Sequence, residues 1–117
     1  MENAIRVLIV EDDPLIALDL EDTLENAGYE VSGMARSVDD GLTMIERDPP
    51  HVATLDYQLG RETSVPIARA LDERHIPYCF VSGRGDLIEA DGRPVVAKPA
   101  PPSTVLRAVR EMTEAAD

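Results

Sequence analysis

Four apolar runs in this chain each end on polar residues that can do chemistry. Val7-Leu8-Ile9-Val10 leads into Glu11-Asp12-Asp13, and Val52-Ala53-Thr54-Leu55 leads into Asp56. Tyr78-Cys79-Phe80-Val81 leads into Ser82, and Val95-Val96-Ala97 into Lys98-Pro99. If the runs are neighbouring parallel strands, all four ends share one edge of one sheet. Asp56 is then a candidate nucleophile, because a carboxylate can attack phosphorus and form an aspartyl-phosphate. Anion would meet anion in that attack, so a divalent cation is needed. Mg²⁺ takes oxygen ligands and keeps several waters. Glu11, Asp12 and Asp56 are its candidate ligands, with the backbone carbonyl of Gln58. Lys98 offers a point charge to the phosphoryl oxygens, and Ser82 offers a hydroxyl. Backbone N–H groups of the 58–60 loop and of Gly83 are further donors. Catalysis by such a set is mostly positioning and electrostatics.

Each residue alone has a plainer reading. Acids favour helix N-termini, so the acidic triplet can be a cap, and that is the role expected of Asp13. Asp56 can be a turn residue, Ser82 a loop or cap serine and Lys98 a solvated lysine. None of these readings explains why each group follows its own strand in order.

The elements that must position these residues alternate between apolar runs and amphipathic segments, which argues for an α/β fold with a parallel sheet. Strands are expected at Ile5–Val10, Tyr29–Ala35, Val52–Asp56, Pro77–Val81 and Pro94–Ala97. The second is the weakest, with Val31 and Gly33 facing opposite ways. The third is apolar throughout and suits a central place. A helix over Pro14–Asn26 has Pro14 in its first turn, an apolar stripe of Ile16, Leu20, Leu24 and Ala27, and Gly28 as its left-handed stop. Ser37 caps a second helix, with Asp40 as a loose capping-box partner, and Val38, Leu42 and Ile45 face inward. Ser64 caps a third, with Ile67, Ala68 and Leu71 inward. Ser103 opens the last, with Val105, Leu106, Val109 and Met112 toward the sheet. Five such units suit a flavodoxin-like, doubly wound sheet of order 2-1-3-4-5 with helices on both faces. Sheets of this kind bind ligands outside the carboxyl ends of their strands. The fourth unit is defective. Three glycines between Ser82 and Pro94 leave at most two turns, too few for a stable helix without strong packing. A short or disordered fourth helix is expected.

Composition narrows the functions. The chain has 117 residues, enough for one domain over 1–117, and 44% are apolar. A net charge of −12 and a pI near 4.4 argue against nucleic acid and anionic membranes as partners. No apolar stretch approaches a membrane span, no signal-peptide layout opens the chain, and a cytoplasmic protein is the simplest reading. The lone cysteine, Cys79, reads as a small buried hydrophobe. His51 and His75 precede strands and read as surface residues.

Val10-Glu11-Asp12-Asp13-Pro14, Leu55-Asp56, Val81-Ser82-Gly83 and Ala97-Lys98-Pro99 together resemble a response-regulator (CheY-like) receiver domain of two-component signalling, over essentially the whole chain. The resemblance implies Asp56 as phosphoacceptor, Glu11 and Asp12 as the acidic pair, Ser82 as the switch hydroxyl and Lys98 as the phosphoryl-binding lysine. It also implies a cis peptide at Lys98-Pro99, Mg²⁺ as cofactor and a phosphohistidine on a sensor histidine kinase as donor. Ile76 to Gly83 and Gly60 to Pro66 are similar to alphaproteobacterial receivers named for a Phe-Ala-Thr-Gly-Tyr motif. Val81, Ser82 and Arg84 depart from that motif. Arg84, at the site's rim, could screen the phosphoryl group or draw an anionic donor. Typical receivers place an aromatic ring three residues before the lysine. Val95 stands there and has none, so ordering of the Gly83–Gly92 loop is the switch expected instead. No effector domain follows in the sequence. A stand-alone module would act through an unknown downstream protein or as a phosphate shuttle or sink. Two alternatives stay open: a pseudo-receiver that binds partners without taking phosphate, and a small Mg²⁺-dependent phosphohydrolase. Gln58, where the latter wants a second acid, counts against it.

Overall fold

β1 (Arg6–Val10) is buried from Val7 onward, as an apolar run flanked by strands on both sides must be. β2 (Glu30–Ala35) pairs with it on one side and β3 (Val52–Asp56) on the other. β6 (Tyr78–Ser82) follows β3, and β7 (Val95–Ala97) closes the far edge. All four pairings are parallel, in the order β2-β1-β3-β6-β7. This is the expected 2-1-3-4-5 order, renumbered by two short strands that intervene in the chain: β4 (Gln58–Leu59) and β5 (Glu62–Thr63), a separate antiparallel hairpin. A computed structural model describes residues 4–83 and 93–115. The expected short fourth helix, Arg84 and the switch loop beyond Gly83 lie outside the described residues.

Parallel strands need crossovers, and here helices supply them on both faces. α1 (Pro14–Asn26) and α4 (Pro102–Ala115) pack Ala17, Leu20, Leu24, Val105, Val109 and Met112 against Val7, Ile9, Cys79 and Val81. α2 (Val38–Arg47) and α3 (Val65–Glu73) pack Val38, Ile45, Ile67 and Leu71 against Leu8, Val10, Leu55 and Phe80 on the other face. Alternate residues of β1 thus serve opposite layers, as the two-residue period of a strand requires. β2 breaks that period. Its register skips Ser32, so Val31 pairs with Val7 and Gly33 with Leu8. The extra residue is why Val31 and Gly33 do face opposite ways.

Caps and stops are mostly where expected. Asp13 Oδ1 accepts from the N–H of Leu15 (2.9 Å) and Ile16 (3.4 Å). Ser37 Oγ accepts from Asp40 N–H at 3.1 Å, and Gly28 takes φ +96°. Three expectations need correction. The buried stripe of α1 is Ala17, Leu20 and Leu24, whereas Ile16 is 46% exposed and Ala27 is the C-cap. Ala17, Leu20 and Leu24 share the core face, and Ile16 lines the cleft beside Pro99. Leu42 and Leu106 are only partly buried, because the smaller Gly41 and Ala108 sit at the contact lines. Ser64 occupies the N-cap of α3 without a capping bond, and its hydroxyl is buried with no hydrogen-bond partner. α4 starts at Pro102, one residue ahead of Ser103, as suits proline in a first turn. Among the described residues no helix is long and apolar enough to cross a membrane.

Candidate functional site

The strand register brings the chemistry to one edge. Val10 lies opposite Leu55, Asp56 opposite Val81, and Ser82 opposite Ala97. Glu11, Asp56, Ser82 and Lys98 therefore emerge side by side at the carboxyl ends of β1, β3, β6 and β7. Asp56 and Glu11 are buried, at 5% and 6% exposure, and Asp12 is half-buried. One carboxylate oxygen from each of the three lies within 4.8 Å of the others. Asp13 points away, into its capping role.

Three carboxylates this close repel one another, and Lys98 offsets part of that. Its Nζ lies 3.1 Å from Asp56 Oδ1 and 4.0 Å from Glu11 Oε1. Its backbone N–H donates to the Ser82 carbonyl at 2.9 Å, which fixes where the side chain leaves the sheet. Burial alone pulls the lysine's pKa down. The hydrogen bond to Asp56 and the charges of Asp56, Glu11 and Asp12 more than reverse this, so the ammonium titrates above its ordinary value. Glu11 is the strained member. Burial pushes its carboxyl up to about 7, with the neighbouring Asp56 adding to the rise. The Asp13 N–H, donating to Glu11 Oε2 at 3.1 Å, and the Lys98 charge pull the other way.

This donor set fits a hard cation. It is all oxygen and holds an excess of negative charge over the single nearby ammonium, and those features suit Mg²⁺ rather than a metal that prefers nitrogen or sulfur. Gln58 lies just beyond Asp56, exposed in β4, where its carbonyl is a candidate further ligand. Its side chain does something the sequence did not announce: Nε2 donates to the carbonyls of Gly60 (2.9 Å) and Glu62 (3.1 Å). Gly60 N–H in turn donates to Asp12 Oδ2 at 3.1 Å. The signal available in advance was the glycine itself, which takes φ +60° at the hairpin turn.

Ser82 is buried at 7% exposure, and Gly83 beyond it is exposed with open space around its Cα. Pro99 is exposed, and the Lys98-Pro99 peptide is cis, as the resemblance implies. Val95 is 37% exposed on the edge strand beside Phe80. The rings lie on β6 and just past β3 instead. Tyr57 stacks edge-on against Phe80 (centroids 5.6 Å apart) and Phe80 against Tyr78 (5.5 Å). A cleft of about 480 Å³ between α1 and α4, lined by Ile16, Leu20, Pro99 and Val105, opens onto Glu11, Asp56 and Lys98. His51 and His75 are exposed and precede β3 and β6, at the opposite edge of the sheet. His51 is nonetheless engaged, accepting the Arg6 N–H at Nδ1 (2.8 Å).

Known proteins share this fold. The family model described as the response regulator receiver domain matches residues 7–110. The phyllosphere-induced regulator PhyR of Methylorubrum extorquens is 31% identical over 109 residues, 87% of this chain and 41% of that protein. Among solved structures, SdrG from Sphingomonas melonis Fr1 is 37% identical with a TM-score of 0.80, over 97% of this chain and 99% of that one. PhyR from Brucella abortus is 31% identical with a TM-score of 0.83, over 98% of this chain and 51% of that one. The chain thus spans about half or less of the length of the PhyR proteins it matches.

Proposed function

The chain belongs to the response regulator receiver family of two-component signalling, and on that premise we propose that it is a phospho-accepting module whose acceptor is Asp56. The observation that carries this reading is the Lys98 ammonium 3.1 Å from a buried Asp56 carboxylate. A nucleophile that must meet a phosphoryl group needs a cation already in place, and here two buried carboxylates, Glu11 and Asp56, face one lysine.

In the step this geometry supports, an Asp56 oxygen attacks the phosphorus of a phosphohistidine on a sensor kinase. The O–P bond forms as the P–N bond breaks, and the imidazole leaves and takes up a proton. Lys98 stays charged throughout and turns from Asp56 to the incoming phosphoryl oxygens. The Ser82 hydroxyl and the Gly83 N–H are the donors for the remaining oxygens. Mg²⁺ held by Glu11, Asp12, Asp56 and the Gln58 carbonyl would supply positive charge against the repulsion between carboxylate and phosphoryl group. The one-third-exposed Lys98 and exposed Gly83 leave the site open to a macromolecular donor. The signal then passes to a downstream protein by altered contacts, or the phosphoryl group itself passes on. The module turns over no external metabolite, since Gln58 stands where a hydrolase wants a second acid or base.

The test is incubation with acetyl phosphate and Mg²⁺, read by intact mass. The expected result is one phosphoryl adduct on the wild type and none on Asp56→Asn or in EDTA. No adduct from acetyl phosphate or from any kinase would refute this reading and leave a pseudo-receiver binding module. Sustained release of phosphate from small esters would point to a hydrolase.

A further inference from the structure

Asp12 is the least buried of the three carboxylates, and it does not hold its place alone. The one hydrogen bond that the described residues give its carboxylate comes from outside β1, from the Gly60 N–H to Oδ2 at 3.1 Å. Gly60 can aim that N–H because it turns the β4–β5 hairpin with φ +60°, where an L side chain is strained. The hairpin is minimal, with only the pairs Gln58↔Thr63 and Leu59↔Glu62. So short a ladder does not hold a turn by itself. The Gln58 side chain adds what is missing, because Nε2 bonds the carbonyls of both Gly60 and Glu62 across the turn. Buried Leu59 pins the same strand to the core.

From this chain of contacts we propose that Gln58 and Gly60 are positioning residues: the Gln58 amide stiffens the hairpin, and the hairpin's Gly60 N–H sets the Asp12 carboxylate for a divalent cation. One Asp12 oxygen takes the N–H and the other is left for the metal, as the two-oxygen acceptor allows. Outer hydrogen bonds of this kind orient ligating carboxylates, and their loss typically weakens metal binding about 10- to 100-fold. The proposal rests on the phospho-accepting reading for the presence of the metal. It gives the Gln58 side chain a task separate from that of its backbone carbonyl, which substitution leaves in place.

Two variants separate the parts. Gln58→Met keeps length and carbonyl but loses the amide, at an exposed position where packing changes little. Gly60→Ala is a backbone perturbation alone, since a Cβ there meets nothing within 4 Å. Gly60→Asn is the conservative control, because asparagine tolerates the left-handed region. Mg²⁺ alone is titrated into unphosphorylated protein and followed by tyrosine fluorescence and amide shifts, while hydrogen exchange at Gly60 is measured in EDTA. Gly60→Ala and Gln58→Met are expected to raise the Mg²⁺ Kd by about tenfold, the low end for such contacts. Gly60→Asn should stay near wild type, and Gln58→Met should speed exchange at Gly60 without metal. If the wild type binds Mg²⁺ and both variants bind it equally well or better, the latch is wrong and the phospho-accepting reading stands. If the wild type binds no Mg²⁺, the metal-dependent reading fails and this one with it.

Discussion

Replacing Lys98 with methionine keeps the length of the side chain and removes the one cation that the described residues place against the acidic cluster. Its attraction to Asp56 across 3.1 Å amounts to about 5 kcal/mol at an effective dielectric of about 20. Lysine regains hydration when the protein unfolds, so the net effect is smaller. Removing one partner of a buried pair costs about 3–5 kcal/mol, and Lys98 is one-third exposed, so a discounted loss of about 2–3 kcal/mol follows. A chain of 117 residues loses about 4 °C in Tm per kcal/mol, so the variant should melt about 8–12 °C lower in EDTA. The loss carries a pH signature. The carboxyl of Glu11 is raised from 4.5 to about 7, chiefly by burial. Its neutral form is therefore favoured in the fold, and its repulsion is absent below the unfolded value and grows as pH rises through the folded one. Without Lys98 the penalty should be larger near pH 8 than near pH 5.5. Mg²⁺ should restore more stability to the variant than it adds to the wild type, since a bound ion stabilises the folded state by mass action. Differential scanning fluorimetry across pH, with and without Mg²⁺, measures all of this. Equal melting of variant and wild type in EDTA near pH 8 would refute the reasoning, as would a loss of the same size at both pH values.

Two further predictions concern the scaffold. Burial pushes the Cys79 thiol up to about 12 from an ordinary 9.0, so the native thiol stays protonated and should resist a disulfide reagent near pH 8.5 until the protein unfolds; rapid labelling of native protein would contradict its buried place. By the same shift, the unfolded thiol ionises first, so this contribution to stability is complete below about pH 9 and falls as pH rises toward 12. Gly41→Ala should destabilise despite alanine's helix propensity, worth about 1 kcal/mol. The new Cβ would stand 2.5 Å from Cδ1 of fully buried Ile67, and overpacking costs about 1–3 kcal/mol. A higher urea midpoint for Gly41→Ala would show that the α2–α3 interface yields more easily than this.

The strands and the chemistry at their ends were readable because each is local. A buried parallel strand is a continuous apolar run, and the residue that ends it is next in sequence. Helix phase was less so. Ile16 and Ala17 are both apolar, and the packing of α1 against the sheet and α4 puts Ala17 in the core and Ile16 at the cleft beside Pro99. The β4–β5 hairpin was invisible because two-residue strands carry no periodicity, and its stabilising bonds come from a glutamine side chain. The bulge at Ser32 left the opposite facing of Val31 and Gly33 correct, although a regular strand would have put them on one face. The engagement of His51 by the Arg6 N–H depends on β1 lying beside the start of β3, a long-range pairing that no local pattern announces. The sequence points to Gln58 only through its carbonyl, because the partners of its side-chain amide, the Gly60 and Glu62 carbonyls, are brought to it by the hairpin turn.

The central claim is that Asp56 itself takes the phosphoryl group. Borohydride reduces an acyl phosphate to an alcohol, so a phosphorylated aspartate is converted to homoserine and can be located by peptide mass. After reaction with acetyl phosphate and Mg²⁺, homoserine is predicted at position 56, absent when Mg²⁺ is withheld. Homoserine at Asp12 or elsewhere in place of position 56, or none under conditions that phosphorylate another receiver, would contradict the account.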